Sequence, residues 1–252
     1  MIIDMFRFSH LRQRVLDTCR LRYRYQYIDR IPARLRPQDT AGTLVHNVLS
    51  EFFARVPRQE RTPGRLIQMF DSRWDALSPR YQRMPGVERL RERSLEQLQH
   101  FARQRDLQAA PFMVEAYFQV RIAPDVLLFG RMDRIDEEPD GSLHIIDYKT
   151  GAQPEEIDAG QLHLYAIMVE QKLERPVPRA SFWYLDDGST WTVELSGEEK
   201  KRALEQAVAA AREMQTLSEF PPNVGRHCTH CPYLYACEMR DEIAQRREAE
   251  GW

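Results

Sequence analysis

A chain of 252 residues, 42% hydrophobic and with a net charge of −2, holds enough apolar material for a sizeable core, which excludes an intrinsically disordered protein. No apolar run reaches the roughly 18–20 residues of a membrane span. The opening MIIDMFRFSHLRQRVL lacks the charged-then-apolar order of a signal peptide, so a cytoplasmic protein with no membrane partner is expected.

The small net charge hides an uneven distribution. Residues 1–36 hold nine arginines (7, 12, 14, 20, 22, 24, 30, 34 and 36) against Asp4, Asp17 and Asp29, with tyrosines at 23, 25 and 27. Arginine beside aromatic rings suits phosphates and stacked bases; a solvated helix face is the plainer alternative. Helical periodicity runs through 9–29, and the prolines of 31–40 break it. Residues 41–56 (AGTLVHNVLSEFFARV) carry apolar pairs at 44/45, 48/49 and 52/53, the stripe of a helix packed on a core, with Asp39 or Thr40 as its N-cap. Two further helices, 63–77 and 86–107, read as a helical insertion.

At Pro111 the period changes to two. Phe112, Val114, Ala116, Phe118, Val120 and Ile122 alternate with Met113, Glu115, Tyr117, Gln119 and Arg121, one strand. Others follow at 126–136 and 143–149, then a helix at 155–173, a hairpin of 179–186 with 190–195, a helix at 197–217, and a Pro-Pro stop at 221–222. The fold class is α/β: a mixed β-sheet flanked by helices, with a helical insertion and a C-terminal cysteine cluster.

The strand 143-LHIIDYK-149 poses a chemical question, because Asp147 and Lys149 share one face of an otherwise apolar segment. A surface ion pair is the plain reading. The preceding strand changes it. A three-residue Pro139-Asp140-Gly141 loop with Gly141 left-handed pairs Glu138 with Ser142. Counting back sets Asp133 opposite Asp147, with Asp136 on the other face as a structural carboxylate. An even loop would turn Asp133 away. Adjacent carboxylates repel and raise each other's pKa unless a cation lies between them, and hard oxygen ligands on a half-open surface suit Mg²⁺ or Mn²⁺. Lys149 is then placed to hold a water or offset charge at phosphorus.

Four cysteines are unevenly spread: Cys19 alone, then Cys228, Cys231 and Cys237 within ten residues. In a reducing compartment that clustering favours metal over disulfides. Zinc would take the three late cysteines with His227 or His230 and leave Cys19 idle. An iron–sulfur cluster would use all four thiolates.

Asp133 with the D-Y-K of 147–149 resembles the PD-(D/E)XK nuclease superfamily. The segment 42-GTLVHNVLSEFF-53 is similar to the RecB-type helix whose histidine binds metal, here His46. The run 161-QLHLYA-166 is similar to the Q-x-x-x-Y helix motif, here Gln161 and Tyr165. The opening FSHLRQRVLDTCRLRYRYQYIDR resembles RecB-family exonucleases, with Arg20 where they carry proline. The resemblance spans most of the chain and implies one nuclease domain over 1–252: an N-terminal helical segment (1–40), the insertion (58–108), the catalytic sheet (110–196) and the cysteine segment (221–252). It implies a metal held by His46, Asp133, Asp147 and the carbonyl of Tyr148, catalysis by Asp133, Asp147, Lys149, Gln161 and Tyr165, and single-stranded DNA or frayed ends as substrate. Relatives of the AddB and CRISPR-adaptation kinds imply a [4Fe–4S] cluster on Cys19, Cys228, Cys231 and Cys237. No G-x-x-x-x-G-K-[ST] loop is present, so a helicase or a CRISPR-adaptation partner would supply any motor. A CRISPR-adaptation nuclease trimming spacer precursors and a non-catalytic DNA-end-binding subunit are the alternatives.

Overall fold

The computed structural model describes residues 5–34 and 36–252; Asp4 of the N-terminal charge pattern lies outside them. Chain order is β1 (Phe6–Phe8), α1 (His10–Thr18), α2 (Arg20–Tyr23), a π-helical turn (Arg24–Ile28), α3 (Pro37–Arg55), α4 (Pro63–Asp75), α5 (Pro79–Gln82), α6 (Val87–Gln104), β2 (Met113–Ala123), β3 (Val126–Glu137), β4 (Leu143–Lys149), α7 (Gly160–Leu173), β5 (Arg179–Tyr184), β6 (Thr190–Glu194), α8 (Gly197–Thr216) and α9 (Arg240–Glu250). The six strands form one mixed sheet in the order β1-β3-β4-β5-β6, with β2 also paired to β3. No helix among the described residues is long and apolar enough to cross a membrane.

The chain divides into two compact units: Met1–Arg36, Arg121–Leu128 and Glu205–Trp252 form one, Pro37–Val120 and Phe129–Leu204 the other. In the second unit, α3 starts at Pro37 rather than near residue 41. Proline suits the first helical position because its missing N–H has no intrahelical acceptor there. The helix buries Ala41, Leu44, Val45, Val48, Leu49, Phe52 and Phe53, and these pack with Leu66, Phe70 and Trp74 of α4 and Leu98 and Phe101 of α6. Thr62 caps α4 by accepting from the Arg65 amide at 3.1 Å. Each fully buried side chain of this size contributes about 1.5–3 kcal/mol, so Phe52→Ala would cost about 3–5 kcal/mol.

The hairpin that carries the acids has the register read from its loop. Glu138 donates to the Ser142 carbonyl at 2.9 Å, Gly141 has φ +86°, and the ladder continues through Asp136↔His144 to Arg134↔Ile146. Asp133 therefore falls opposite Asp147. β4 and β5 are parallel, with Asp147 beside Phe182 and Lys149 beside Tyr184, and α7 makes the crossover between them. The strand signals resolved no such parallel pairing. Helix α7 begins at Gly160, five residues later than its periodicity suggests; just before it, the Asp158 carboxylate accepts from the Gly160 amide at 2.8 Å in a local turn.

The first unit holds β1, parallel to the start of β3 (Phe6↔Val126 to Phe8↔Leu128). At three residues β1 is too short to show a period. Ser9 caps α1, accepting from the Arg12 amide at 3.2 Å.

Candidate active site

Helix α3 and strands β2 and β3, with Thr150 just past the end of β4, line one cleft of the second unit. Its lining includes His46, Asn47, Glu115, Arg131, Asp133 and Thr150. Gly42 lets α3 approach the end of β4: a Cβ there would lie 3.0 Å from the Thr150 hydroxyl.

His46 sits on the polar edge of the α3 stripe, next to buried Val45, and its Nδ1 lies 3.2 Å from Asp133 Oδ1. The other Asp133 oxygen accepts the Tyr148 backbone N–H at 2.7 Å. Tyr148 itself turns its ring into the core, edge-on to Phe101. Ligand atoms of His46, Glu115 and Asp133 lie within 4.8 Å of one another. Asp147 is 5% exposed and outside that trio. Its carboxylate is held by Lys149 Nζ at 2.6 Å and by Gln161 Nε2 at 3.3 Å. Gln161 also accepts from Lys149 at 2.9 Å and donates to the Tyr165 hydroxyl at 2.7 Å, while the Phe182 ring lies under the Lys149 ammonium at 4.4 Å. Gly130 makes room for Tyr165, since a Cβ at that position would meet its ring at 2.8 Å.

The electrostatics follow from crowding acids in a half-buried cleft. Burial, then the neighbouring Asp133 charge, pushes Asp147 from 3.8 up to about 6, although Lys149 and His46 oppose the shift. Burial and Asp133 also raise Glu115, against Arg131 and His46. For His46 burial acts downward, but the Asp133 hydrogen bond and charge, with Asp147 and Glu115 behind, outweigh it and raise the imidazole. Two carboxylates and an imidazole within ligand distance suit a hard divalent cation, which would offset both the burial and the mutual repulsion that raise the carboxylates. The residues present therefore fit the metal that the sequence implies.

Glu115 is the member that sequence reasoning left evenly divided between the acidic residue that the family often carries near this position and ordinary solvent exposure. Its φ is +50°, a left-handed conformation that costs a side-chain-bearing residue about 1–3 kcal/mol and collects at functional sites. That kink turns its carboxylate toward Asp133. The one local signal was that Glu115 is the sole acid on β2.

The N-terminal tyrosines need a correction. They do not form an exposed ladder for bases. Tyr23 is 1% exposed and Tyr25 8%. Tyr23 stacks on Phe220, Tyr25 packs against Tyr233, and the Arg12 guanidinium covers Tyr27 at 4.8 Å. The π-helical turn widens the local spacing, so Tyr23 and Tyr25 become core while Tyr27 stays half-buried.

In the first unit, Cys19, Cys228, Cys231 and Cys237 line one cavity with Leu21, Tyr25 and Tyr233. All four are free thiols. Asn223 clamps the chain across them: its side chain donates to the Thr18 carbonyl at 2.9 Å, and its backbone amide lies 3.5 Å from Cys19 Sγ. His227 Nε2 is 2.8 Å from the Asn223 carbonyl, and His230 is exposed. Burial raises the thiols of Cys231 and Cys237, and the neighbouring cysteines add to it.

A mixed sheet that gathers a helix histidine, carboxylates of neighbouring strands and an Asp-x-Lys strand end belongs to the restriction-endonuclease-like class of nucleases. Within it, the chain belongs to the PD-(D/E)XK nuclease superfamily, whose family model matches residues 7–238. No curated protein matches it in sequence. Among solved structures it is similar to the crystal structure of SSO0001, at 14% identity and a TM-score of 0.40 over 79% of this chain and 96% of that one, a likeness too loose to add to the fold already described.

Proposed function

We propose that this chain is a Mg²⁺- or Mn²⁺-dependent deoxyribonuclease of the RecB-like kind, an exonuclease acting on single-stranded or frayed DNA ends in repair or recombination. The observation that carries the reading is the convergence of His46, Glu115 and Asp133 within ligand distance, one register step from the Asp147–Lys149 pair. His46, Asp133 and Asp147, with Glu115 added, would hold the cation, and the Tyr148 carbonyl completes the set by family likeness. A divalent ion there supplies Lewis-acid stabilisation of phosphoryl oxygens.

The side chains do the rest. Lys149 is clamped between Asp147 and Gln161, two residues from the acid that faces Asp133. It holds the attacking water in line with the phosphodiester and offsets charge on the phosphoryl group as it becomes pentavalent. Gln161 fixes the lysine rotamer, and Tyr165 fixes Gln161, so preorganisation passes along one side of α7. The expected products are a 5′-phosphate and a 3′-hydroxyl.

The cysteines support a [4Fe–4S] staple rather than zinc. All four cysteines line one cavity. Zinc held by the three late cysteines with His227 or His230 would leave Cys19 idle, whereas an iron–sulfur cluster would use all four thiolates.

The test is digestion of end-labelled single-stranded DNA with Mg²⁺ or Mn²⁺ and an EDTA control. Wild type should cleave only with metal, and Lys149→Ala should lose about 10²–10³-fold. Equal activity in the two proteins removes the mechanism.

A further inference from the structure

Tyr23 and Tyr25 are buried, so these two rings do not serve as a base-stacking platform. The second unit exposes one beside the cleft. Tyr117 on β2 is 42% exposed, and its ring centroid lies 6.4 Å from that of Phe129 on β3. Arg131, two residues along β3 from Phe129 and two from Asp133, holds its guanidinium 5.9 Å from the Tyr117 ring, and it reaches back to Glu115 at 3.4 Å. Its side chain is 59% exposed and lines the same cleft as His46 and Asp133. One arginine thus spans from the aromatic platform to the candidate metal ligands. Its contact with Glu115 is long and exposed, the kind of ion pair worth little, so it yields readily to a stronger anion.

We propose that Tyr117 and Arg131 form a nucleotide subsite adjoining the scissile position. Tyr117, backed by Phe129, stacks one unpaired base, and Arg131 takes the phosphate between that base and the cleft. This rests on the nuclease reading and adds to it the residues that would select an unpaired strand. Two chemical features select that occupant. A half-exposed ring flanked by a guanidinium offers a π-face and a cation together, the pair that single-strand sites use. A base inside a duplex presents only its edge to such a ring, because its faces are taken by its neighbours. Continuity with the cleft also matters: Tyr117 lies two strand residues from Glu115, roughly 6.6 Å along β2 in a regular strand, a distance comparable to one nucleotide step of an extended chain.

The experiment measures binding without cleavage. A short oligothymidylate carrying a single 2-aminopurine is titrated with protein in EDTA, and both affinity and quenching of the base are recorded. Wild type should quench the base. Tyr117→Ala should weaken binding about ten-fold and abolish the quench, while Tyr117→Phe should keep both, since stacking needs the ring alone. Arg131→Ala should weaken binding and reduce the salt slope by about one, and Arg131→Lys should restore the slope. Blunt duplex binding should not respond to Tyr117→Ala. Unchanged affinity and quench in Tyr117→Ala, or no quench by wild type, overturns the proposal. Metal-dependent cleavage, scored separately on Lys149→Ala, reports on the nuclease reading whichever way this result falls.

Discussion

The two units hold sites built on opposite principles. In the second unit, charged groups that repel one another are forced together on rigid strands: Asp147 is driven up to about 6, and Glu115 sits in a strained backbone at φ +50°. In the first, thiols from chain positions some two hundred residues apart share an apolar cavity, ordered mainly by Asn223 and a few tyrosines. The first kind of site spends stability to be ready for chemistry. The second spends readiness to gain stability, since what binds there ties chain segments together.

The largest expected effect tests that contrast directly. If the proposed iron–sulfur cluster is held there, removing it, by chelation under reducing conditions or by Cys19→Ala, should abolish visible colour and cost about 3 kcal/mol or more of stability. Brief EDTA treatment that stops cleavage should move the thermal midpoint little. A Cys19→Ala protein with full iron content would show that Cys19 is not a ligand and undo the contrast.

Next in size is Gly130→Ala. Its Cβ would collide with the Tyr165 ring and the Met168 methyl, costing about 1–3 kcal/mol and, by displacing Tyr165 from Gln161, lowering cleavage about ten-fold. An active and equally stable variant would show that Tyr165 is not positioned through this contact.

Asp147→Asn should trade activity for stability. Below about pH 4 the native carboxyl is protonated whether folded or not and costs nothing; above pH 6 it is ionised in both states, and the folded protein bears the difference, at most about 3 kcal/mol. Each 1 kcal/mol of that difference should raise the melting temperature of the metal-free variant above that of wild type at pH 8 by about 2–4 °C. That gain should fade as pH falls through 6 toward 4, and should shrink when Mn²⁺ is added, because the intact site gains binding energy. A midpoint difference independent of pH would contradict the burial of that charge.

The smallest effect belongs to Tyr165→Phe, which removes one hydrogen bond to Gln161. It should cost about 0.5–1.5 kcal/mol and lower cleavage a few-fold, read as kcat with KM little changed.

Much of this architecture was legible in residues alone, for reasons that differ by region. The β3–β4 register followed from a loop of known length and a glycine that its turn requires, so the opposition of Asp133 and Asp147 needed only counting. The stripe of α3 placed His46 beside the core because a long amphipathic helix overdetermines its faces. Glu115 was not legible, because strand alternation assumes an extended backbone and its positive φ breaks that assumption. The fate of the tyrosines at 23, 25 and 27 was hidden for a related reason: a π-helical turn follows neither period. β1 was too short to register. Parallel pairing of β4 with β5 depends on a crossover whose path no local pattern encodes.

The Pro139-Asp140-Gly141 turn carries a consequence for how this gene can change. Successive residues of a strand face opposite ways, so a one-residue slip of β3 against β4 would turn Asp133 out of the cleft and, with it, the fully buried Ile135 out of the core. Length changes that the loop absorbs leave that register intact. Indel scanning across the turn should thus return alleles that keep folding and cleavage together or lose both together, with none that fold normally and yet carry Asp133 on the wrong face.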